Sequence, residues 1–260
     1  MQKIPKALAI AGSDSGGGAG IQADIKTFSA LGVHGSSVIT AITAQNTKEV
    51  TAVHNVPFDI ITKQIDAVLS DIGADAVKIG MLSNKEIIKT VASSLKKYNI
   101  KNIILDTVMA SGSGAKLLEV SAIVALKKEL IPMALIVTPN IPEAEVLVNF
   151  HIKTLEDAKK AAKEIINLGC KSVLIKGGHL NPEKDYVIDI FYDSINFAEI
   201  KNKKINKRFH GAGCVLSSAI TANIAKGLEL KEAVKNAIDY VHNALDKGFK
   251  VGEMNYVLKN

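Results

Sequence analysis

Residues 7–31 decide the reading of this chain. Ala7-Leu8-Ala9-Ile10-Ala11 is a continuous apolar run, and it ends in Gly12-Ser13-Asp14-Ser15-Gly16-Gly17-Gly18-Ala19-Gly20. Ile21, Ile25, Phe28 and Leu31 follow at spacings of three and four, closed by Gly32. An apolar run without alternation is a strand buried on both faces, and a three-four spacing is a helix with one apolar face. The stretch therefore reads as strand, glycine turn, helix.

Working outward, the alternation continues. Val38–Ile42 is a second strand run, followed by the short Val50–Val53. Asp59–Leu69 reads as a helix capped by Asp59, with Ile61, Ile65 and Val68 on one face. Ala76–Ile79, Ile103–Leu105, Leu135–Val137 and Val173–Ile175 read as buried strands. Helices lie near Asn84–Tyr98, Val120–Leu130 and Leu155–Leu168. Strand and helix in regular alternation predict a parallel sheet covered on both faces. Beyond Lys176 the runs Tyr186–Tyr192 and Phe197–Ile205 are interrupted by polar residues, as in antiparallel edge strands. Leu230, Ala233, Val234, Ala237, Ile238, Val241 and Leu245 then make one helical stripe. The expectation is an α/β protein with residues 1–260 as a single domain.

Composition narrows the function classes. The chain has 260 residues, 47% of them apolar, 22% charged and 5% aromatic, which excludes disorder and low-complexity architectures. No run is long enough to span a membrane, and Met1-Gln2-Lys3-Ile4-Pro5 lacks signal-peptide anatomy. Two cysteines, Cys170 and Cys214, with no C-x-x-C, fit a reducing cytoplasm. The net charge of +6 could suit nucleic acid, but the basic residues are spread and aromatics are scarce. Lys201, Lys203, Lys204, Lys207 and Arg208 read as a solvated sheet edge. His34, His54, His151 and His242 show no metal-ligand spacing. A phosphorylated small molecule is the better match to a modest positive field.

In open α/β sheets ligands bind at the carboxyl ends of the strands. Each strand here ends in unusual residues. The glycine loop Gly16–Gly20 matches neither a dinucleotide fingerprint nor a P-loop, yet its glycines would let backbone N–H groups approach an anion at a helix start. Asp106 follows the strand ending at Leu105, and Thr138-Pro139-Asn140 follows Val137. Asn140 and Glu143, three apart, could hold Mg²⁺ through its waters or could simply begin a helix. Lys176 ends an apolar strand before Gly177-Gly178-His179, a cation in want of an anionic partner. Gly211, Ala212, Gly213 and Cys214 open a helix whose free N–H groups suit a transferring phosphoryl group. Cys214 there is either a proton acceptor with a lowered thiol pKa or a small packed residue. The Gln45 amide offers a donor and an acceptor side by side, the pattern of an aminopyrimidine edge.

These residues, with Ile21-Gln22-Ala23-Asp24, Thr43-Ala44-Gln45-Asn46-Thr47, Lys78-Ile79-Gly80-Met81-Leu82, Asp106-Thr107-Val108-Met109 and His210-Gly211-x-Gly213-Cys214, resemble the hydroxymethylpyrimidine/phosphomethylpyrimidine kinases of thiamin biosynthesis. The resemblance runs in order over nearly the whole chain. It implies a ribokinase-like, three-layer α/β fold with a mostly parallel sheet, a homodimer, and ATP and Mg²⁺ as requirements. It implies phosphorylation of 4-amino-5-hydroxymethyl-2-methylpyrimidine and then of its monophosphate. Gln45 would read the pyrimidine, with Gly12, Ala19, Asp24, Met81 and Val108 lining its pocket. Asn140, Glu143 and Lys176 would serve the nucleotide, Glu143 and Asp106 the metal, and Gly211, Gly213 and Cys214 the anion hole. Phe209 and Ala212 stand where the family usually has threonine, and Ala110-Ser111-Gly112-Ser113-Gly114-Ala115-Lys116 departs from its usual loop. A pyridoxal kinase is the nearest rival, but a pyridine lacks the 4-amino group that matches Gln45. A pyrimidine sensor without turnover is the other alternative.

Overall fold

The computed structural model describes residues 4–112, 114–178, 180, 185–207, 209–253 and 255–259; Met1 to Lys3, Ser113, His179 and Arg208, named above, lie outside them. Short apolar runs pair side by side as the strands β1 (Lys6–Asp14), β2 (His34–Gln45), β3 (Val50–Asn55), β4 (Ala76–Ile79), β5 (Ile103–Leu105), β6 (Ile136–Val137), β7 (Val173–Ile175), β8 (Tyr186–Tyr192) and β9 (Phe197–Lys203). They form one sheet in the order β3-β2-β1-β4-β5-β6-β7-β8-β9. The six strands from β2 to β7 in that order are parallel, whereas β3 pairs antiparallel with β2, β8 with β7, and β9 with β8.

The period of two along each central strand divides the core into two layers. Leu8, Ile10, Val77, Ile79, Ile103, Leu105, Val137, Val173 and Ile175 share one layer. It is covered by α2 (Phe58–Ala67), α3 (Lys85–Lys97), α4 (Val120–Ala125), α5 (Ile141–Val148) and α6 (Leu155–Ile166). Ala7, Ala9, Ala76, Ile104, Ile136 and Leu174 face the other way, against α1 (Gly20–Ala30), α7 (Ala212–Ala225) and α8 (Leu230–Asp246). Burying both faces is what permits strands of only two to four residues to hold their pairing. The result is the expected three-layer α/β sandwich. No described helix is long and apolar enough to cross a membrane.

Several boundaries differ from the sequence reading. Asp59 does not cap α2: Pro57 takes the N-cap position, and Asp59 sits in the first turn beside Lys63. β2 reaches from His34 to Gln45, so Gln45 belongs to a strand end rather than to the loop after it. A second small sheet was not anticipated. β10 (Phe209–His210) pairs with β12 (Asn255–Val257), which pairs with β11 (Phe249–Val251). All three residues of β11 are exposed, so no continuous apolar run marks it in the sequence.

The chain leaves β1 for β2 on one side and returns through β4 on the other. That reversal opens a crevice at the carboxyl ends of β1 and β4.

Candidate active site

A cavity of about 380 Å³ fills this crevice. Gly12, Ala19, Gln45, Met81 and Val108 line it, as do Asp106, Asn140, Glu143, Lys176, Gly211, Gly213 and Cys214. One expected member is missing. Asp24 is fully buried beneath the cavity, where both its carboxylate oxygens hold Lys78 Nζ at 2.8 and 2.9 Å and Oδ1 accepts the Ser218 hydroxyl at 2.7 Å. Lys78 is the residue of this pair that reaches the cavity wall. It shares the parity of Ala76 in Ala76-Val77-Lys78-Ile79, the face turned to α1 and α7. Burial pulls its pKa down, and the charges of Asp24, Cys214 and Asp106 more than restore it, so the ammonium is held above its usual range.

The glycine loop is not an open anion cradle. Asp14, the last residue of β1, fills it from within. Its Oδ1 accepts the N–H of Gly16 at 2.8 Å, and its Oδ2 accepts those of Gly18 and Ala19 at 2.9 and 2.8 Å. The Gly17 N–H goes to the Asp14 carbonyl. The loop therefore wraps the chain's own carboxylate, which sits at the positive end of α1. Burial opposes the charge, but His210 and the N–H groups of Ala19 and Gly16 keep the Asp14 carboxyl below its usual range.

The start of α7 is built the other way. Gly211 is its N-cap at φ 85°, with no side-chain cap and no acidic residue in the first turn. A Cβ at Gly211 would lie 1.8 Å from the Gly18 carbonyl oxygen, so both backbone and space require glycine. The first N–H groups of a helix have no intrahelical acceptor, and here Ala212, Gly213 and Cys214 line the cavity. An anion finds these donors unoccupied by any side chain. Phe209 packs its ring 5.8 Å from that of Tyr256, joining this turn to β12.

The thiol at the helix start behaves contrary to the expectation from the helix dipole. Burial pushes the Cys214 thiol up to about 11; Lys78 and a hydrogen bond from Gly20 N–H oppose this, while Asp106 and Asp24 add to it. Removal from water and two nearby carboxylates outweigh the helix terminus.

Opposite that turn lie the charged groups. Asp106 Oδ1 takes hydrogen bonds from Lys176 Nζ at 3.1 Å and Thr138 Oγ1 at 3.4 Å, and Oδ2 takes one from Ser217 at 3.3 Å. Asn140 and Glu143 form a reciprocal capping box at the start of α5. Glu143 Oε2 also accepts the Thr107 hydroxyl at 3.1 Å, and among the described residues no hydrogen bond uses Oε1. Burial raises the Glu143 pKa; Lys176 opposes the rise and Asp106 adds to it. For Lys176, burial lowers the pKa, but Asp106 and Glu143 leave it above the ordinary range. Among the described residues no three His, Cys, Asp or Glu side chains form a metal cluster. Two carboxylates on one wall, one with an oxygen to spare, nevertheless fit Mg²⁺, which keeps several waters and takes few protein ligands.

His210, just before the start of α7, has its Nε2 2.9 Å from Asp14 Oδ2 and 3.0 Å from the side-chain amide of Gln45. Thr43 Oγ1 lies 3.2 Å from the same amide and donates to the Ser13 carbonyl at 2.9 Å. Sequence reasoning assigned no separate role to Asp14, Thr43, Lys78 or His210. The aspartate immediately before a glycine run was the one available signal, since such a side chain folds back onto the N–H groups that follow it.

The sequence pattern of the phosphomethylpyrimidine kinase family matches residues 14–259. The chain belongs to that family, and it is a phosphotransferase. It is 46% identical over 250 residues to the hydroxymethylpyrimidine/phosphomethylpyrimidine kinase of Bacillus subtilis (strain 168), covering 96% of this chain and 92% of that one. The crystal structure of phosphomethylpyrimidine kinase from Clostridium difficile 630 superposes with a TM-score of 0.83 at 51% identity, over 94% of this kinase and 100% of that chain. An ADP complex of Bacillus subtilis pyridoxal kinase superposes with a TM-score of 0.90 at 36% identity, over 99% and 97% of the two chains. The expected ribokinase-like α/β architecture is thus shared with kinases of both substrate names.

Proposed function

We propose that this kinase transfers the γ-phosphoryl group of ATP to the hydroxymethyl oxygen of 4-amino-5-hydroxymethyl-2-methylpyrimidine, and then phosphorylates the monophosphate to the diphosphate, in thiamin biosynthesis. One observation carries the reading: a single cavity is lined by an uncapped helix start, the Lys176–Asp106 pair and the Gln45 amide. Gly12, Ala19, Met81 and Val108 provide walls for a flat ring between them.

In this account the substrate hydroxyl oxygen forms a bond to the γ-phosphorus as the bond to the ADP oxygen breaks. The hydroxyl proton goes to Cys214 Sγ in its thiolate form. The N–H groups of Gly213 and Cys214, next to the fixed turn at Gly211, meet the charge spread over the equatorial oxygens. Lys176 neutralises the phosphates, and Asn140 holds the start of α5 beside them. Positioning and charge neutralisation carry most of the barrier reduction, as in-line phosphoryl transfer demands little covalent help. Asp106 and Glu143 would hold Mg²⁺, which would supply further neutralisation of the phosphate charge. The protein acts as one kinase domain, as a homodimer, in the cytoplasm.

Pyridoxal phosphorylation is the second reading, favoured by the TM-score of 0.90 to the pyridoxal kinase. The higher identity to the phosphomethylpyrimidine kinase, 51% against 36%, supports the pyrimidine. Competition between the two substrates at equal concentration with MgATP decides it. The pyrimidine phosphate is expected to form faster; faster pyridoxal phosphate overturns the assignment.

A further inference from the structure

We infer that His210, anchored by Asp14, is a positioning residue that fixes which way round the Gln45 amide lies, and so selects substrates with an amino group beside an unprotonated ring nitrogen over their oxo tautomers. The inference rests on the proposed meeting of Gln45 with the pyrimidine edge.

Asp14 already accepts three backbone N–H groups, so it is a carboxylate, and a ring nitrogen 2.9 Å from it must carry a hydrogen. His210 Nε2 is therefore a donor. In the structure the Gln45 amide nitrogen stands 3.0 Å from that same Nε2, which sets N–H against N–H. Its amide oxygen stands 3.2 Å from Thr43 Oγ1, whose one hydrogen already serves the Ser13 carbonyl at 2.9 Å. Both conflicts vanish when the amide turns by half a revolution, an exchange that leaves every heavy-atom position in place. The oxygen then shares the single Nε2 hydrogen of His210 with Asp14 in a three-centre bond, and the nitrogen donates to Thr43 Oγ1, which donates to Ser13. Of the two amide orientations, only this one sets no N–H against N–H and gives the Thr43 oxygen a donor.

Held so, the amide keeps one lone pair on oxygen and one N–H on nitrogen for a ligand. An aminopyrimidine edge supplies the complement, an amine that donates and a ring nitrogen that accepts. The hydroxymethyl group must point to α7 for transfer, so the ring cannot reverse to present the opposite order. The 4-oxo analogue carries the reversed pattern, a carbonyl beside an N–H, and meets the locked amide with two mismatches. Buried polar groups left unpaired are what gives a site strong discrimination between such near-isosteres.

The test compares kcat/KM for 4-amino-5-hydroxymethyl-2-methylpyrimidine with that for its 4-oxo analogue. The wild-type ratio is expected to be about 100 or more in favour of the amine. His210→Phe and His210→Leu remove the N–H with and without the ring, and either is expected to reduce the ratio at least about tenfold, chiefly through KM. His210→Gln can donate to both Asp14 and Gln45, and is expected to restore most of the ratio. A purely structural role would lower both substrates together and leave the ratio alone; that result, in whichever apolar variant folds, overturns the inference. If Gln45→Ala leaves KM for the amine unchanged, Gln45 does not meet the substrate, and the inference falls with that part of the proposed function. If the wild type phosphorylates neither pyrimidine, the substrate assignment itself fails, and the inference with it.

Discussion

Lys78 Nζ lies between both carboxylate oxygens of Asp24, at 2.8 and 2.9 Å, with both side chains wholly removed from water. The pair ties β4 to α1, and through Ser218 to α7, directly under the cavity. Removing one partner leaves the other as an uncompensated buried charge. Asp24→Ala is expected to destabilise the fold by about 3–5 kcal/mol, while the double variant Asp24→Ala/Lys78→Met recovers much of that loss. Urea unfolding of the single and double variants checks it; a double variant no better than the single would contradict the pairing.

The proton acceptor should be visible in the pH profile. With its pKa at about 11, Cys214 is almost entirely a neutral thiol near pH 7 in the free enzyme. A base must be deprotonated to act, so kcat/KM should rise with pH through the neutral and mildly alkaline range. Cys214→Ala should lower kcat by about 10²–10⁴ and flatten that rise. A variant profile parallel to the wild type removes the base role from Cys214.

Gly211→Ala is predicted to be far more damaging than its size suggests. The added methyl meets the Gly18 carbonyl at 1.8 Å, and the left-handed backbone alone costs a non-glycine residue about 1–2 kcal/mol. The first turn of α7 must then move off the Asp14 loop. Thermal melting should fall, and KM for ATP should rise; Gly227→Ala, also at positive φ but with open space around it, should show a melting change from backbone strain alone.

A second prediction on pH concerns stability. Asp189, in β8, accepts the Gly177 N–H at 2.8 Å, yet burial raises its pKa from 3.8 to about 6, with that hydrogen bond and Lys176 opposing. A carboxyl with a raised folded pKa favours the folded state most while protonated. That contribution is present below about pH 4 and is lost as pH rises through about 6. Asp189→Asn keeps an acceptor for Gly177, so it should raise the melting temperature at pH 7 and leave it nearly unchanged at pH 4. An equal shift at both values would contradict the assignment.

What could be read beforehand follows physical range. Asp106, Asn140 and Lys176 were legible because each follows a buried apolar strand, and strand ends converge on one sheet edge whatever the helices between them do. The two apolar layers were legible for the same reason, from runs such as Ile103–Leu105. Asp24 was misplaced because its partner Lys78 is 54 residues away, and no local pattern announces a buried ion pair. The glycine loop read as an open cradle because sequence shows the N–H groups and not the carboxylate that claims them. For Cys214 the sequence leaves a proton acceptor and a packed residue both open, because burial and the neighbouring Asp106 and Asp24, which raise its pKa against the helix start, are tertiary facts. The strand β11 was invisible because all three of its residues are exposed, so no continuous apolar run announces it.

The central claim is sequential phosphoryl transfer to one hydroxymethylpyrimidine. Following the purified protein with MgATP and 4-amino-5-hydroxymethyl-2-methylpyrimidine by ³¹P NMR tests it most directly. The account predicts a phosphomonoester resonance first, then a pyrophosphoryl pair as it declines, with ADP rising by two molecules for each pyrimidine converted. ATP left intact, or ADP formed with no phosphorus resonance on the pyrimidine, would contradict it.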